Sequence, residues 1–315
     1  MSALLAAGAS LMEAAWEARR RLYARGILKP SRVPARVVSI GNLTVGGAGK
    51  TTLTLHLARR ARERGTDFRV VCKRYRPGPD GRGDEERLYQ AALGESMVLA
   101  GRTKRVLAAR AAAQAPLVLV DDGFSHWSLE RDVDIVLVDA LDPWGGGQLL
   151  PAGRLREPRR ALQRAEAVVL TRLPKGSALP DLVEDVRRAA PAARLAGARH
   201  EVRGFRDLAG LACERPERAH VVTATGNPAA VIASARESGC DVTGQSVYRD
   251  HHAFTAREAE REGAAAAAAG ACVLLTAKDA VRWPGGGALE RVMDVTWSWQ
   301  WGGEDVERLV FGEGP

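Results

Sequence analysis

Residues 37–52 read VVSIGNLTVGGAGKTT, the stretch of the sequence that says most about its structure. A β-branched run leads into a glycine-rich turn that ends in Gly-Lys-Thr, and the helical pattern TLTLHLARRARERG follows at residues 52–65. A strand, a glycine-rich turn and a helix in this order are typical of a phosphate-binding loop. An ordinary strand-to-helix turn could contain the same glycines, but the strand before it and the helix after it favour the phosphate loop.

The residue types of this loop suit phosphate binding. Glycine tolerates positive φ and lets backbone N–H groups approach phosphate oxygens. Lys50 supplies a charge for the outer phosphates, Thr51 supplies a hydroxyl for Mg²⁺, and the helix N-terminus adds its dipole. Thr44 stands where the usual pattern has its first glycine, so Gly46 and Gly47 are expected to make the turn. The predicted nucleotide-binding residues are Thr44, Val45, Gly46, Gly47, Ala48, Gly49, Lys50, Thr51 and Thr52.

Short apolar runs alternate with helical stretches along the chain. This alternation predicts an α/β fold, a P-loop NTPase-type parallel sheet with flanking helices, followed by a second, smaller α/β domain. The predicted strands are 36–40, 68–72, 117–120, 134–138 and 167–170. The predicted domains are 1–194 (an N-terminal helix and the P-loop core), a linker at 195–216, and the smaller C-terminal α/β domain at 217–315.

Two adjacent carboxylates follow the apolar run LVLV, in LVLVDDGFSHW at residues 117–127. Ligands of parallel sheets gather at the carboxyl ends of the strands. Because Mg²⁺ prefers hard oxygen ligands and keeps several waters, one direct carboxylate and a second acting through water are sufficient. Asp121 and Asp122, together with Thr51, are therefore the predicted metal ligands. Paired acids at a strand end could instead cap the following helix.

Asp84 and His251 are two further candidates. Asp84 lies in KRYRPGPDGRGDEERL at residues 73–88, a long glycine- and proline-rich loop of the kind that compact domains keep for a function. It could accept a proton from a substrate hydroxyl or be the N-cap of the next helix, and the spacing alone favours the cap. His251 lies between Asp250 and His252. A histidine oriented by a carboxylate is favoured over a metal site, because no further ligand is near at zinc-like spacing.

Composition narrows the class of protein. The 315 residues, 46% hydrophobic and 27% charged, are those of a soluble globular protein, and the four cysteines form no C-x-x-C pair. A net charge of +8 suits nucleic acid, an anionic membrane surface or a phosphate-rich substrate, and also an ordinary arginine-rich surface. Aromatic residues are only 5% and the basic residues are dispersed among acidic ones, so nucleic acid is not expected as a partner.

The N-terminal segment has an apolar stripe at helical spacing. Leu4, Leu11 and Leu22 fall near one helical face with Trp16 and Tyr23, and a cluster of arginines lies beside them. Such a helix could lie in a membrane interface, with its aromatic rings at headgroup depth and its arginines on anionic lipid. It could equally pack on its own domain. The pattern alone leaves both interpretations open.

The sequence resembles the tetraacyldisaccharide 4′-kinase family of lipid A biosynthesis, because the family's motifs occur in the same order along nearly the whole chain. The resemblance rests on the order of the motifs more than on any one of them. They are RRRLYARGIL (19–28), SIGNLTVGGAGKT (39–51), KRYRPGPDGRGDE (73–85), LVLVDDGFSHW (117–127), LLPAGRLREP (149–158), YRDHHAF (248–254) and LLTAKDAV (274–281). The chain departs from the family pattern at Thr52, Ser125 and Trp127.

The resemblance implies transfer of the ATP γ-phosphate to the 4′-hydroxyl of an acylated glucosamine disaccharide 1-phosphate. ATP and Mg²⁺ would be the cofactors, and the enzyme would be a peripheral monomer at the cytoplasmic face of the bacterial inner membrane. Asp84 and His251 match the family's catalytic pair, which overrides the cap interpretation of Asp84. Arg156 and Glu157 match a segment near the nucleotide, so Glu157 is also expected to be a nucleotide-binding residue. The family's N-terminal helix favours membrane association of residues 1–25.

Other functions remain compatible with parts of the pattern. The core motifs alone indicate only a nucleoside triphosphate and Mg²⁺, so a cytosolic P-loop kinase or NTPase acting on a small soluble acceptor is the alternative. A regulatory GTPase is disfavoured because Lys278 and Asp279 are adjacent, whereas a guanine-binding loop separates its Lys and Asp by one residue. A nucleic-acid-binding protein without catalysis would leave Asp84, Asp121 and Asp122 unexplained.

Overall fold

The computed structural model describes residues 3–75, 77–78, 80–177, 179–285 and 289–312. Met1 and Ser2 of the predicted N-terminal helix, Arg76 and Pro79 of the 73–88 loop, and residues 313–315 of the predicted C-terminal domain lie outside the described residues. The elements in chain order are α1 (Ala3–Ala24), β1 (Arg36–Asn42), α2 (Lys50–Glu63), β2 (Phe68–Lys73), α3 (Asp84–Leu93), β3 (Val98–Gly101), α4 (Lys104–Ala112), β4 (Leu117–Asp121), β5 (Val133–Asp139), β6 (Ala167–Thr171), α5 (Pro180–Ala189), β7 (Arg194–Arg206), β8 (Ala212–Cys213), β9 (Arg218–Thr223), α6 (Pro228–Glu237), β10 (Asp241–Val247), α7 (Ala256–Ala268), β11 (Cys272–Thr276), α8 (Ala277–Ala280), β12 (Glu290–Trp301) and α9 (Gly303–Phe311).

The chain divides into two compact units whose boundaries differ from the predicted ones. The first unit comprises Met1–Lys73, Leu93–Arg199 and Ser298–Pro315, and the second comprises Arg74–Ala92 and His200–Trp297. The segment predicted as a linker, 195–216, forms most of β7 and all of β8. Only part of β7 is buried, and its charged residues hide the alternation that marks a strand in sequence.

The first unit is a parallel α/β sheet. Its strands lie in the order β7-β6-β5-β1-β4-β2-β3, and every neighbouring pair is parallel. All five predicted strands are present, as β1, β2, β4, β5 and β6. Every residue of β4, β5 and β6 is buried, as expected of parallel strands covered on both faces. The prediction of an α/β fold with a parallel sheet is confirmed.

The position of β1 decides where the site lies. β1 pairs with β4 on one side and with β5 on the other, so the carboxyl ends of these strands are neighbours. Ile40 of β1 is in register with Asp121, the last residue of β4. The loop that follows β1 therefore begins beside the acidic end of β4, where ligands of such sheets bind.

The second unit has its own parallel strands, in the order β10-β9-β11-β12. Val221, Ile232 and Leu274 are buried in one of its apolar clusters. The helix α7 begins with a capping box, in which Thr255 accepts a hydrogen bond from the backbone of Glu258 and the Glu258 side chain accepts one from the backbone of Thr255. The prediction of a further α/β arrangement in the C-terminal part is thus matched by these elements.

A buried carboxylate of the first unit fastens α9 to α2, the helix that begins at the phosphate loop. Glu307 lies 3.1 Å from Nε2 of His56 and accepts a hydrogen bond of 3.0 Å from Nε of Arg60. Nε1 of Trp299 also donates to Oε1 of Glu307, over 3.3 Å. Burial alone would raise the pKa of Glu307, but the hydrogen bonds from His56 and Arg60 outweigh it and lower the pKa to about 2.

We expect Glu307→Gln to lower the free energy of unfolding at neutral pH by about 1–3 kcal/mol, because Arg60 of α2 loses its buried anionic partner. The wild-type carboxylate has a folded-state pKa of about 2, below its ordinary value of 4.5, so its contribution is present above pH 4.5 and is lost as the pH falls towards 2. Urea unfolding across this range should show a smaller acid-dependent loss of stability in the variant. Glu63→Gln, which removes an exposed partner of the same Arg60, is the control. Equal pH dependence in the Glu307 variant and the wild type would contradict this assignment.

Candidate functional site

The phosphate loop connects β1 to α2. Gly46 and Gly49 have φ of 123° and 93°, values that favour glycine, and Gly49 is the N-cap of α2. Gly47 does not have positive φ, so it does not share the turning role that was expected of it. Apart from its chain neighbours, a Cβ at Gly46 or Gly47 would meet no atom of the described residues within 4 Å. The missing side chains therefore leave open space along the loop, into which a phosphate can approach the backbone.

A cluster of polar side chains lies at the base of this loop, formed by Asn42, Lys50, Asp122 and Arg156. Nζ of Lys50 donates to Oδ1 of Asn42 over 2.9 Å and lies 3.6 Å from Oδ1 of Asp122. Arg156 donates to both carboxylate oxygens of Asp122, over 3.0 and 2.8 Å, and to Oδ1 of Asn42 over 2.6 Å. One carboxylate and one amide thus hold two cations beside the phosphate loop.

Asp122 is the centre of this charge arrangement. Burial opposes its ionisation, but the charge of Lys50 and the hydrogen bonds from Arg156 hold its pKa well below the ordinary range. Its backbone has φ of 51°, and its carbonyl oxygen accepts a hydrogen bond of 2.7 Å from Nζ of the buried Lys104. Burial, followed by the charge of Lys104, lowers the pKa of His126 to about 4, so His126 is neutral at neutral pH.

The LLPAGRLREP segment lies against the entry to the phosphate loop. Backbone N of Arg156 donates to the carbonyl of Leu43 over 2.7 Å, and backbone N of Val45 donates to the carbonyl of Arg154 over 2.8 Å. Thr44 forms an isolated antiparallel bridge with Leu155 between these two bonds. The backbone pairing explains how a residue far along the chain comes to hold Asn42 and Asp122.

The oxygen donors at this edge of the sheet fit a magnesium ion. Asp121 is buried at the end of β4, and Thr51 lies in the first turn of α2. No group of three or more His, Cys, Asp or Glu side chains placed to hold a metal occurs in the part of the chain that the structure describes. Mg²⁺ does not need such a group, because phosphate oxygens and waters complete its shell. Both oxygens of Asp122 accept hydrogen bonds from Arg156.

Glu157 points to the N-terminal helix. Its Oε2 accepts hydrogen bonds of 2.7 Å from Nε1 of Trp16 and of 2.7 Å from Arg164, while its buried Oε1 bonds to no described atom. Trp16 is buried in the same apolar cluster as Phe124. Arg156 and Glu157 are neighbours in sequence, but their side chains have different partners. Arg156 binds Asn42 and Asp122, whereas Glu157 binds Trp16 and Arg164.

Of the two positions that the sequence left open for Trp16, at headgroup depth or packed on its own domain, the structure shows the packed one. Trp16 packs into the core, and its ring lies 6.0 Å from that of Trp127, which also contacts Tyr23 at 5.5 Å. Gly8 lets the helix come close to Pro151, since a Cβ there would lie 2.9 Å from two atoms of the proline ring. Apolar side chains nonetheless remain exposed on and just after α1, namely Leu4, Leu5, Leu11, Met12, Leu22, Ile27 and Leu28. No helix in the described ranges is both long enough and apolar enough to span a membrane.

Asp84 and His251, predicted from distant motifs, meet in the second unit. Nδ1 of His251 lies 3.1 Å from Oδ2 of Asp84. Asp84 is the first residue of α3 rather than its N-cap. Glu86 accepts a hydrogen bond of 3.2 Å from the backbone of Gly83, and Arg74 holds Glu86 through two hydrogen bonds of 2.8 and 2.7 Å. Glu86 therefore caps the start of the helix and leaves the Asp84 carboxylate to face the histidine.

The backbone of His251 is strained. Its φ is 62°, a left-handed conformation that costs a non-glycine residue roughly 1–3 kcal/mol. The conformation is held by a hydrogen bond of 3.1 Å from its backbone N to the carbonyl of Ala224. The ring of Tyr75 lies edge-on to the imidazole, with 5.7 Å between the ring centres. Strain of this kind is found at functional sites, where the surrounding structure keeps one side chain in place.

Three residues of these arrangements were not predicted. Asn42 could have been found as a polar residue at the end of a buried strand, directly before the loop. Lys104 follows β3, a strand of only four residues that was not predicted. Arg282 has an Nε 3.7 Å from Oδ2 of Asp84, and it lies one residue beyond the LLTAKDAV motif. No sequence signal marked Arg282, because its role depends on contacts between distant segments.

Comparison with known proteins agrees with the resemblance. A family model described as tetraacyldisaccharide-1-P 4′-kinase matches residues 1–306. A tetraacyldisaccharide 4′-kinase of Anaeromyxobacter sp. strain K is 37% identical, over 90% of this chain and 82% of that protein. The enzyme of the same name from Syntrophobacter fumaroxidans is 37% identical, over 83% of this chain and 75% of that protein.

A solved structure shows the same fold. The crystal structure of LpxK from Aquifex aeolicus in complex with ATP matches with a TM-score of 0.72 and 23% identity, over 96% of each chain. At this identity the likeness supports the fold alone, while the family model and the curated relatives carry the assignment of family. The chain belongs to the tetraacyldisaccharide-1-phosphate 4′-kinase family.

Proposed function

We propose that this chain transfers the γ-phosphate of ATP to the 4′-hydroxyl of a tetraacyldisaccharide 1-phosphate, giving the 1,4′-bisphosphate. The family supports the reaction. The observation that carries the proposal in this chain is the cluster in which Asp122 and Asn42 hold Lys50 and Arg156 beside the phosphate loop. Phosphoryl transfer depends mainly on positioning and on stabilising charge, and this cluster provides fixed cations for both.

The phosphates of ATP would bind to the backbone of the predicted loop, to Lys50 and to the N-terminus of α2. Arg156 would face the same charges, because it shares the carboxylate of Asp122 with Lys50. Glu157 stays a predicted nucleotide residue. Its Oε2 is occupied by Trp16 and Arg164, so a contact with the nucleotide would have to come from Oε1.

Thr51 and Asp121 would hold Mg²⁺ directly, and Asp122 would act on it through water. The bound metal supplies positive charge to the β- and γ-phosphates. The residues of the chain then have separate tasks. Lys50 neutralises charge on the outer phosphates, and Asp122 keeps Lys50 and Arg156 from being displaced by their mutual repulsion.

Asp84 and His251 would remove the proton of the acceptor hydroxyl. Nδ1 of His251 is bound to the carboxylate of Asp84, which orients the ring and favours one tautomer. Such a pair can accept a proton as the oxygen attacks phosphorus. A small soluble acceptor in place of the lipid is the alternative, and the exposed apolar side chains of α1 favour the lipid.

Lys50→Ala should lower the rate of phosphate transfer by about 10²-fold or more, because a fixed charge on the transferring group is lost. The measurement is transfer of label from ATP to tetraacyldisaccharide 1-phosphate in detergent, with thermal unfolding to verify the fold. Lys175→Ala, which removes an exposed lysine from a turn, is the matched control. Near-normal turnover of folded Lys50→Ala would contradict the phosphate-loop assignment. Activity of the wild type on soluble acceptors alone would favour the alternative function.

We also propose that α1 associates with the anionic surface of the inner membrane, from the cytoplasmic side. Leu4 and Leu11 are 81% and 72% exposed, so these side chains are available to lipid. Arg19 and Arg25 are exposed near the end of the helix, and each basic residue near an anionic surface contributes about 1 kcal/mol. Because Trp16 belongs to the core, the association would use the exposed leucines and arginines, not the tryptophan.

Replacing both leucines, as Leu4→Glu with Leu11→Glu, should weaken co-sedimentation with vesicles that contain anionic lipid. Point changes are preferable to truncation, which would expose the pocket of Trp16. Nucleotide binding should be unchanged, because neither leucine belongs to the phosphate loop. Leu211→Glu replaces a leucine that is 68% exposed in the second unit and is the matched control. Undiminished sedimentation of the double variant would show that the exposed face of α1 does not bind the membrane.

A further inference from the structure

The guanidinium of Arg282 is held rigidly in the second unit. Its side chain is only 5% exposed, and it donates to Oδ1 of Asp279 over 2.8 Å, to the carbonyl of Ala224 over 3.1 Å and to the carbonyl of Lys278 over 3.1 Å. Asp279 is fully buried and also accepts a hydrogen bond of 2.9 Å from the backbone of Ala224. A buried ion pair with these backbone bonds leaves the guanidinium little freedom to move.

This fixed cation faces the carboxylate of Asp84. Nε of Arg282 lies 3.7 Å from Oδ2 of Asp84, the same oxygen that lies 3.1 Å from Nδ1 of His251. The carbonyl of Ala224 accepts from both the backbone of His251 and the side chain of Arg282, each over 3.1 Å. Arg282 therefore lies against the carboxylate of Asp84. It also donates to the Ala224 carbonyl, which accepts the hydrogen bond from the strained backbone of His251.

Other charges face the pair, but they are more exposed to solvent. Arg87 lies 3.9 Å from Oδ1 of Asp84 and its side chain is 22% exposed, and it also binds Asp80. Asp250 lies 4.0 Å from Nε2 of His251, and its side chain is 52% exposed. Water screens an exposed charge more than a buried one. Of these three charges, Arg282 is therefore the least screened by water.

We propose that Arg282 is a positioning residue for Asp84 and His251, and this rests on the proposed kinase function. Its fixed charge holds the Asp84 carboxylate in place against Nδ1 of His251. Its bond to the Ala224 carbonyl helps to fix the orientation of His251. Arg282 touches neither the nucleotide nor the acceptor in this role, so its loss should affect turnover rather than substrate binding.

The test compares Arg282→Gln with Arg282→Lys in steady-state kinetics of phosphate transfer. We expect Arg282→Gln to lower kcat about tenfold or more, with KM for ATP and for the acceptor changed less than about twofold, because part of a proton-transfer contribution is lost. Arg282→Lys keeps a positive charge beside Asp84 and should retain more of the wild-type kcat than Arg282→Gln.

A double-mutant cycle separates positioning from general destabilisation. Arg282→Gln should have little further effect on kcat in an Asp84→Asn background, because the charge then has no carboxylate to act on. Arg206→Gln, which breaks the ion pair with Asp294 in the same unit, should leave kcat unchanged. A kcat of folded Arg282→Gln equal to that of the wild type, or fully multiplicative losses in the cycle, would overturn the proposal. A wild-type protein that transfers no phosphate to the disaccharide would refute the kinase function instead.

Discussion

The carboxylate of Asp122, between Lys50 and Arg156, is the interaction on which the nucleotide site depends. Lys50 and Arg156 must both be cationic to bind phosphate, and without a counter-charge they would repel each other. Asp122 holds them together, Asn42 accepts hydrogen bonds from both, and Lys104 holds the Asp122 backbone in its left-handed conformation. The sheet makes this possible, because β1 and β4 are neighbours and end at the same edge.

A second carboxylate, that of the buried Glu86, organises the surroundings of Asp84 and His251. Glu86 caps α3 through the backbone of Gly83 and is held by Arg74, so Asp84 is not needed as the cap. The sequence suggested two roles for Asp84, and one of them, capping the helix, is taken by Glu86 instead. Asp84 is left to face His251 and Arg282, and the strained backbone of His251 is held by a single carbonyl. Fixed side chains of this kind lower the cost of reaching a reactive arrangement.

The sequence was sufficient for the parts of the fold that depend on local pattern. The strands β1, β4 and β5 are continuous apolar runs, and the phosphate loop has glycines where positive φ occurs, at Gly46 and Gly49. β3 is too short to show a pattern, and the charged residues of β7 obscure its alternation, so both were missed. The partners of Lys104, Glu157 and Arg282 come from distant segments, which no spacing rule can supply. The meeting of Asp84 with His251 was expected only from resemblance to the family.

Turnover of Asp122→Asn at saturating ATP tests whether this carboxylate organises the nucleotide site. We expect kcat for transfer to tetraacyldisaccharide 1-phosphate to fall about 10²-fold or more while the protein stays folded, because Lys50 and Arg156 lose the charge that fixes them beside the phosphates. Asp142→Asn, which removes the partner of the exposed Arg154 in the same unit, should be nearly fully active. A folded Asp122→Asn variant with turnover close to that of the wild type would contradict the claim that this carboxylate organises the site.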